Sequence, residues 1–320
     1  MSKKPLLTIA IPTYNRSSCL ARLLDSIIQQ DNYCCDDLEV IICDNASVDE
    51  TAIIAKSGLD KIKNSTYHLN EKNLGMDGNF KKCFELSNGK YFWMIGDDDL
   101  IVKDGLSKVL SVIKSRPSLD MIYVSSAAKT ELIHDADTRS SFYSSDVSFI
   151  SDVKIMFTFI SGMICKKTDE VVNDVHIFSP RTSGKYLMHL TWQLSLLKKG
   201  TDFAVIHNNI IEAESDNSGG YHLYKVFSHN LAMIFDVFYP REHRVSKKVR
   251  SSACLFLLNF IGDEDKTKNF GTSNYLKDCD SAFIDLSIYK YGLRFFYKHP
   301  HMVPLFRKIK SIIKKVLMRK

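Results

Sequence analysis

Most of the patterns that would place this 320-residue chain outside the ordinary globular proteins are missing from it. No apolar run approaches the roughly 18 residues that a membrane-spanning helix needs. The most apolar stretch of the chain's interior is Ile155 to Cys165, so no transmembrane helix is expected. The opening "MSKKPLLTIAIPTYNR" holds a short apolar stretch but no small-residue cleavage pattern, and it runs into Pro12, Asn15 and Arg16. No secretion signal is expected from it. Eight cysteines (19, 34, 35, 43, 83, 165, 254 and 279) make no C-x-x-C pair and have no His-rich partner spacing. Neither a zinc site nor a disulfide framework is indicated, and the thiols fit a reducing cytosol. Internal repeats are absent too. Seven of the 43 Lys and Arg lie between Leu305 and Lys320, where there is no acid, leaving 36 basic residues against 37 acidic ones in the body. A nearly neutral body with a basic tail gives no expectation of a nucleic-acid partner.

What is present is a globular composition, 45% apolar and 25% charged, in a chain long enough for a full core and an appendage. Its first part alternates two periods. "LLTIAIP" (6–12), "LEVIICD" (38–44), "STYHL" (65–69) and "KYFWMI" (90–95) read as strands. Between them, "SSCLARLLDSIIQQ" places Leu20, Leu23, Leu24, Ile27 and Ile28 on one helical face, with Ser17 or Ser18 as its N-cap. "DETAIIAKS" and "GNFKKCFELS" supply two further helices.

Strands that are apolar throughout and joined by helices predict an α/β fold with a mainly parallel sheet covered on both faces. Ligands of such sheets bind outside the carboxyl ends of the strands. That rule gathers four polar loops on one rim: "PTYNR", "DNAS", "NEKNLGMDG" and "GDDD". Beyond them a helix near Asp104–Ser115 and a strand "DMIYVSS" are expected, then a polar, Ser-rich loop over 126–150. "IMFTFISGMICKK" and "YLMHLTWQLSLLKKG" return as apolar elements, and 221–300 reads as mostly helical.

Each rim loop has a bland reading beside its chemical one. Asp44, with Asn45, Ser47 and Asp49, could accept hydrogen bonds from a base or a ribose, or could form an Asx-turn capping the next helix. Gly75 and Gly78 suit close approach of a phosphate, but the loop lacks both the Walker lysine spacing and a G-x-G-x-x-G pattern. Asp97, Asp98 and Asp99 stand side by side after a buried strand. Neighbouring charges about 4 Å apart repel by roughly 4 kcal/mol at a protein surface. A hard cation such as Mg²⁺ or Mn²⁺, its shell completed by substrate phosphates, would offset that repulsion; a solvated turn is the alternative.

Taken in order, "TIAIPTYNR", "CDNASVDET", "NLGMDGN" and "WMIGDDD", over residues 8–99, resemble family 2 glycosyltransferases of the GT-A fold, in particular those that build bacterial O-antigen and capsule chains. The resemblance implies a Rossmann-like donor half over 1–125, an acceptor half over 126–220 and a helical C-terminal region over 221–320. It implies that Pro12, Thr13, Tyr14 and Asp44 line a nucleoside pocket, with Arg16, Asn45, Asn73, Gly75 and Asp97 as further donor-side candidates. Asp98 and Asp99 become the candidate ligands of Mn²⁺ or Mg²⁺. Gly96 stands where the family pattern has an acid.

Inverting transfer needs a general base for the acceptor hydroxyl, and in the family it usually lies in a Glu-Asp pair opening a helix. Aligned on Gly200, that pair falls on Met188 and His189, which makes His189 the candidate base. Asp169 and Glu170 are the alternatives. The expected reaction moves a sugar from a nucleotide donor, a UDP-sugar by preference, to an oligosaccharide that is lipid-linked. A sugar nucleotidyltransferase would want a Gly-rich, Arg-bearing phosphate loop after the first strand, which "PTYNRSS" is not. A non-catalytic nucleotide-sugar-binding relative is the third reading. The tail "LFRKIKSIIKKVLMRK" puts its apolar residues on one helical face and only bases on the other. Such a helix suits an anionic cytoplasmic membrane surface, or packs on its own domain with the basic face solvated.

Overall fold

In the computed structural model, residues 4–128, 137–213, 220–262 and 274–308 are described. The chain divides into two compact units, Met1–Asp216 and Asn217–Lys320.

The first unit is built on a nine-stranded sheet whose strands, in spatial order, are 65–69, 38–44, 7–13, 91–94, 163–166, 121–127, 203–212 and 100–101, with 140–143 pairing 203–212. Strands β1 (Leu7–Thr13), β2 (Leu38–Asp44), β3 (Ser65–Leu69) and β4 (Tyr91–Met94) run parallel. β1, β2 and β4 are buried at every position, which is why they carry no polar alternation. Helix α1 (Ser17–Ile28) buries the expected stripe of Leu20, Leu23, Leu24 and Ile27. Its first N–H groups are served differently from the expectation: no Ser caps it, and the Asp49 carboxylate accepts from Ser17 N–H at 3.1 Å. Helices α2 (Thr51–Leu59) and α3 (Gly75–Leu86) complete the alternation.

Beyond β4 the sheet becomes mixed. β8 (Met163–Lys166) lies antiparallel between β4 and β6 (Met121–Ala127), and β9 (Phe203–Glu212) runs parallel to β6. β9 also takes β5 (Leu100–Ile101) and β7 (Ser140–Tyr143) as antiparallel partners. Helix α4 (Gly105–Ser115) follows β5.

The segment expected as a polar loop holds two elements, β7 and helix α5 (Asp146–Val153), which buries Phe149 and Ile150. β9 shows no continuous strand pattern in the sequence, because His207, Asn208 and Asn209 interrupt its apolar residues. The sheet absorbs them by register shifts opposite Val124 to Ser126. Asn208 is satisfied by Arg139 N–H at 2.7 Å and the Asp137 carbonyl at 2.8 Å.

Short helix α6 (Asp169–Val172) precedes α7 (His189–Lys199), whose residues from His189 to Leu197 are all buried. Trp192 of α7 stacks on Phe84 of α3 at 5.1 Å and meets Phe92 of β4 edge-on at 5.7 Å. A helix enclosed on all sides needs no amphipathic stripe.

The second unit is helical in its described residues, with segments Leu231–Phe238, Arg244–Leu257 and Tyr275–Phe283 as its longest. Arg250, fully buried there, donates to the Ala282 carbonyl at 2.9 Å, the Asp285 carboxylate at 2.7 Å and the Arg241 carbonyl at 2.6 Å. Of the basic tail helix expected over 305–320, residues 309–320 lie outside the described residues. No helix among the described residues is long and apolar enough to cross a membrane.

Candidate functional site

The loops leaving β1 to β4 are stitched to one another by side chains, and the stitching begins after β1. Asn15 adopts φ 52°, a left-handed conformation that Asn tolerates better than most residues. In that turn its N–H donates to Ser47 Oγ at 2.8 Å, and its Oδ1 accepts from Val48 N–H at 2.8 Å. The first loop is thereby tied to the second.

Asp44, at the end of β2, is fully buried. Its two oxygens accept from Ser47 N–H at 2.8 Å and from the Tyr67 hydroxyl at 2.7 Å. Asp44 thus closes a turn with its own side chain, but it does not cap the next helix: α2 starts at Thr51 with Glu50 as its N-cap, and Tyr67 of β3 holds the second Asp44 oxygen. Burial, reinforced by that carboxylate, pushes the Tyr67 hydroxyl well above the usual phenol range, so it stays a donor. Asn45 ties the second loop to the third. Its Oδ1 accepts from Leu74 N–H at 2.8 Å, and its amide donates to Asn73 Oδ1 at 2.9 Å and to the Gly75 carbonyl at 3.2 Å. Gly75 takes φ +73° with open space where a Cβ would stand, so the backbone there is bare on that side. Tyr14, 43% exposed, projects from the first loop.

The three aspartates do not point the same way. Asp97 is buried and accepts from Thr13 Oγ1 at 2.7 Å. Arg16 spans Asp97 Oδ1 at 3.3 Å and Asp98 Oδ2 at 2.8 Å. Burial raises the Asp97 carboxyl to about 6; Arg16 and Thr13 pull it down and Asp98 pushes it up. Burial alone would lower the Arg16 guanidinium, but Asp97 and Asp98 outweigh it and the net shift is upward. Asp99 is buried and accepts from Ser161 Oγ at 2.5 Å, while Ser161 accepts from Gly96 N–H at 2.9 Å.

Gly96 explains how two carboxylates share one space. A Cβ at this position would lie 3.0 Å from Asp98 Oδ1, 3.4 Å from Asp99 Oδ2 and 3.7 Å from Ser161 Oγ. Three oxygens thus converge on one side of Gly96, where any side chain would press on them. Among the described residues no three His, Cys, Asp or Glu side chains form a ready-made metal cage. A cradle of two carboxylates and a hydroxyl nevertheless suits Mg²⁺ or Mn²⁺, which bind through one or two carboxylates and complete their shell with phosphate oxygens and water.

His189 opens α7. Asp77, in the first turn of α3, accepts from the N–H groups of Lys185 at 2.9 Å and of Tyr186 and Met188 at 3.2 Å, fixing the chain that enters α7. The His189 ring is 4% exposed, edge-on to Phe80, with Nε2 3.0 Å from the Thr158 carbonyl. A carbonyl only accepts, so Nε2 carries a proton and the buried, unpartnered Nδ1 presents its lone pair. Burial holds the ring's pKa down at about 4. His189 is linked to the aspartates through the 154–162 segment, where Thr158 faces the ring and Ser161 faces Asp99. Asp169 and Glu170 are exposed at the start of α6.

Thr13, Arg16, Asp97 and Asp98 are thus joined directly, Asp99 is held separately by Ser161, and Asp44, Asn45, Asn73 and Gly75 form a second connected group on the same rim. Pro12 is paired in β1 opposite Cys43. Sequence reasoning missed Ser161, Tyr67 and Asp77 because each acts across 23 to 111 residues of chain, a separation no local pattern reveals.

A parallel half-sheet with this rim, continued by a mixed half, defines the class as the GT-A fold. The family model for glycosyl transferase family 2 matches residues 8–170. The chain belongs to that family.

It is 37% identical over 119 residues to the abequosyltransferase RfbV of Salmonella typhimurium, a match covering 36% of this chain and 34% of the relative. The matched segment therefore spans about a third of that relative's length. In fold it resembles S. aureus TarS 1-349 in complex with UDP-GlcNAc, with a TM-score of 0.60 and 15% identity over 95% of this chain and 92% of that one. It also resembles the mannosyltransferase PcManGT of Pyrobaculum calidifontis in complex with GDP-Man and Mn²⁺, with a TM-score of 0.56 and 14% identity over 100% and 89% of the two chains.

Proposed function

We propose that this protein is an inverting, divalent-metal-dependent glycosyltransferase that moves a sugar from a nucleotide-sugar donor, a UDP-sugar by preference, to a growing lipid-linked oligosaccharide of a surface polysaccharide. The observation that carries this reading is the Gly96 cradle, where Asp98 Oδ1, Asp99 Oδ2 and Ser161 Oγ converge on one side of the glycine at the end of a buried strand. Family membership and the nucleotide-sugar complexes of its fold neighbours support the donor class, uridine being the nucleoside bound by TarS and guanosine the one bound by PcManGT. The polysaccharide acceptor rests on the likeness to an abequosyltransferase.

In this reading Tyr14 and Pro12 flank the base, and the Asp44 and Asn45 turns shape the ribose side. The bare backbone at Gly75 admits the rest of the donor. Asp98 and Asp99 would hold the cation, which when bound supplies Lewis-acid stabilisation of the departing diphosphate. The acceptor hydroxyl attacks the anomeric carbon from the face opposite the diphosphate, so one displacement inverts the configuration. His189 Nδ1 is the proposed proton acceptor: the Thr158 carbonyl fixes the tautomer, and burial keeps the ring neutral. Phe80 and the 154–162 segment cover the ring, so this role requires the acceptor to displace that cover. Residues 305–320 are proposed as the contact with an anionic cytoplasmic membrane surface; deleting them should abolish binding to anionic vesicles, and unchanged binding removes that part of the reading.

A panel of nucleotide sugars, each with Mn²⁺, tests the donor assignment by thermal unfolding. A ligand that binds the native state alone raises its melting temperature. A UDP-sugar should give the largest shift, and only with the cation present. No shift with any nucleotide sugar contradicts the proposal.

A further inference from the structure

The Arg16 guanidinium occupies a position that the proposed function does not explain. It bridges Asp97 Oδ1 at 3.3 Å and Asp98 Oδ2 at 2.8 Å, on the carboxylates beside the Gly96 cradle. Three adjacent acids with one guanidinium still carry an excess of negative charge, so Arg16 is the positive group that makes the triplet tolerable when nothing else is bound. A dication at Asp98 and Asp99 would do the same work with twice the charge. The two cations would meet at Asp98, the carboxylate they share, and repel each other.

The side chain is also able to leave. Arg16 is 30% exposed, against 6% for Asp97 and 18% for Asp98. It is carried by the loop that also carries Thr13 and Tyr14, on the rim where the donor would lie. A fully sealed guanidinium would have to stay; this one has an open side. Its backbone is anchored independently, because Asp49 holds Ser17 N–H and Ser47 holds Asn15 N–H. The side chain can therefore turn without the loop unravelling. A released guanidinium on this rim meets the diphosphate, for which its planar fork is a bidentate partner.

We propose that Arg16 is an exchangeable counter-ion: in the donor-free protein it holds Asp97 and Asp98, and on joint binding of cation and donor it leaves them and pairs with the donor's diphosphate. This rests on the reading of Asp98 and Asp99 as the cation platform. Its consequence is a coupling. Cation alone binds against Arg16, donor alone finds Arg16 engaged, and each relieves the obstacle to the other. Such coupling is reciprocal for the two affinities. Arg16 is in this sense a positioning residue for the cation and a contact residue for the donor.

The test is a set of Mn²⁺ and UDP titrations by calorimetry on the full chain, for wild type, Arg16→Met and Arg16→Lys, with circular dichroism to confirm folding. For Arg16→Met the expected result is Mn²⁺ binding without UDP that is about tenfold tighter than wild type, and UDP binding at saturating Mn²⁺ that is about tenfold weaker. UDP binding without Mn²⁺ should be unchanged, so the factor by which each ligand strengthens the other should fall by about tenfold. Arg16→Lys, which keeps the charge and loses the two-point bridge, should fall between. If Arg16 merely sits on the aspartates throughout, the Met variant binds Mn²⁺ more tightly by the same factor with and without UDP, the coupling is unchanged, and the inference is overturned. Wild type that binds no Mn²⁺ even with UDP would instead remove the platform reading beneath it. Should the Met variant fail to fold, the Lys variant decides alone: coupling equal to wild type overturns the inference.

Discussion

The Ser161 hydroxyl donates to Asp99 Oδ2 at 2.5 Å, joining the turn before β8 to the turn after β4 across 62 residues of chain. Ser161 and Asp99 are both buried, and the same oxygen accepts from Gly96 N–H. Ser161→Ala removes this donor from the Asp99 carboxylate, and losing a hydrogen bond to a charged group costs about 1.5–3 kcal/mol. Urea unfolding should show a loss in that range, together with weaker Mn²⁺ binding in the presence of UDP. A variant as stable as wild type would mean that the hydroxyl contributes little.

Gly96→Ala should separate the cradle from the fold. Its Cβ would stand 3.0 Å from Asp98 Oδ1 and 3.4 Å from Asp99 Oδ2, so these side chains must shift by a few tenths of an ångström. Side-chain carboxylates on a rim can make that shift cheaply, and the melting temperature should change little. Cation binding, which depends on where the oxygens stand, should weaken by about tenfold. Unaltered Mn²⁺ affinity would show that the cation does not use this cradle.

His189 gives the fold an acid-sensitive point. Its pKa is held down from the ordinary 6.5 to about 4, so between those values the unfolded chain binds a proton that the native ring refuses. Stability from this group is complete above about pH 6.5 and is lost as pH falls toward 4, by roughly 3 kcal/mol in all. His189→Leu should flatten that part of the stability curve, and a curve that stays as steep assigns the sensitivity elsewhere. If Nδ1 takes the acceptor proton, the same variant also loses at least about a hundredfold in transfer rate.

These residues also show how far a linear reading reaches. Short periods reveal β1 to β4 and the helix face of Leu20, Leu23, Leu24 and Ile27, because burial on both sheet faces and on one helix stripe leaves a local pattern. Strand-end chemistry brings Asp44 and the aspartate triplet to one rim. The pattern fails at β9, where Asn208 is satisfied by backbone groups that only the folded chain supplies. It fails again at Gly96. Read along the chain, Gly96 is a missing acid; in space, Asp98 Oδ1 approaches the place that a side chain would take. The departure from the family pattern and the arrangement of the two remaining acids are one feature.

In the proposed reaction, metal-dependent sugar transfer depends on Asp98, on the rim of this sheet. The direct measurement is UDP release from a UDP-sugar, with and without acceptor, in wild type and Asp98→Ala at matched Mn²⁺ concentrations. Wild-type activity should require the cation and fall by at least about a hundredfold in the variant, which keeps its native circular dichroism. Full metal-dependent activity in Asp98→Ala would contradict the assignment of the site.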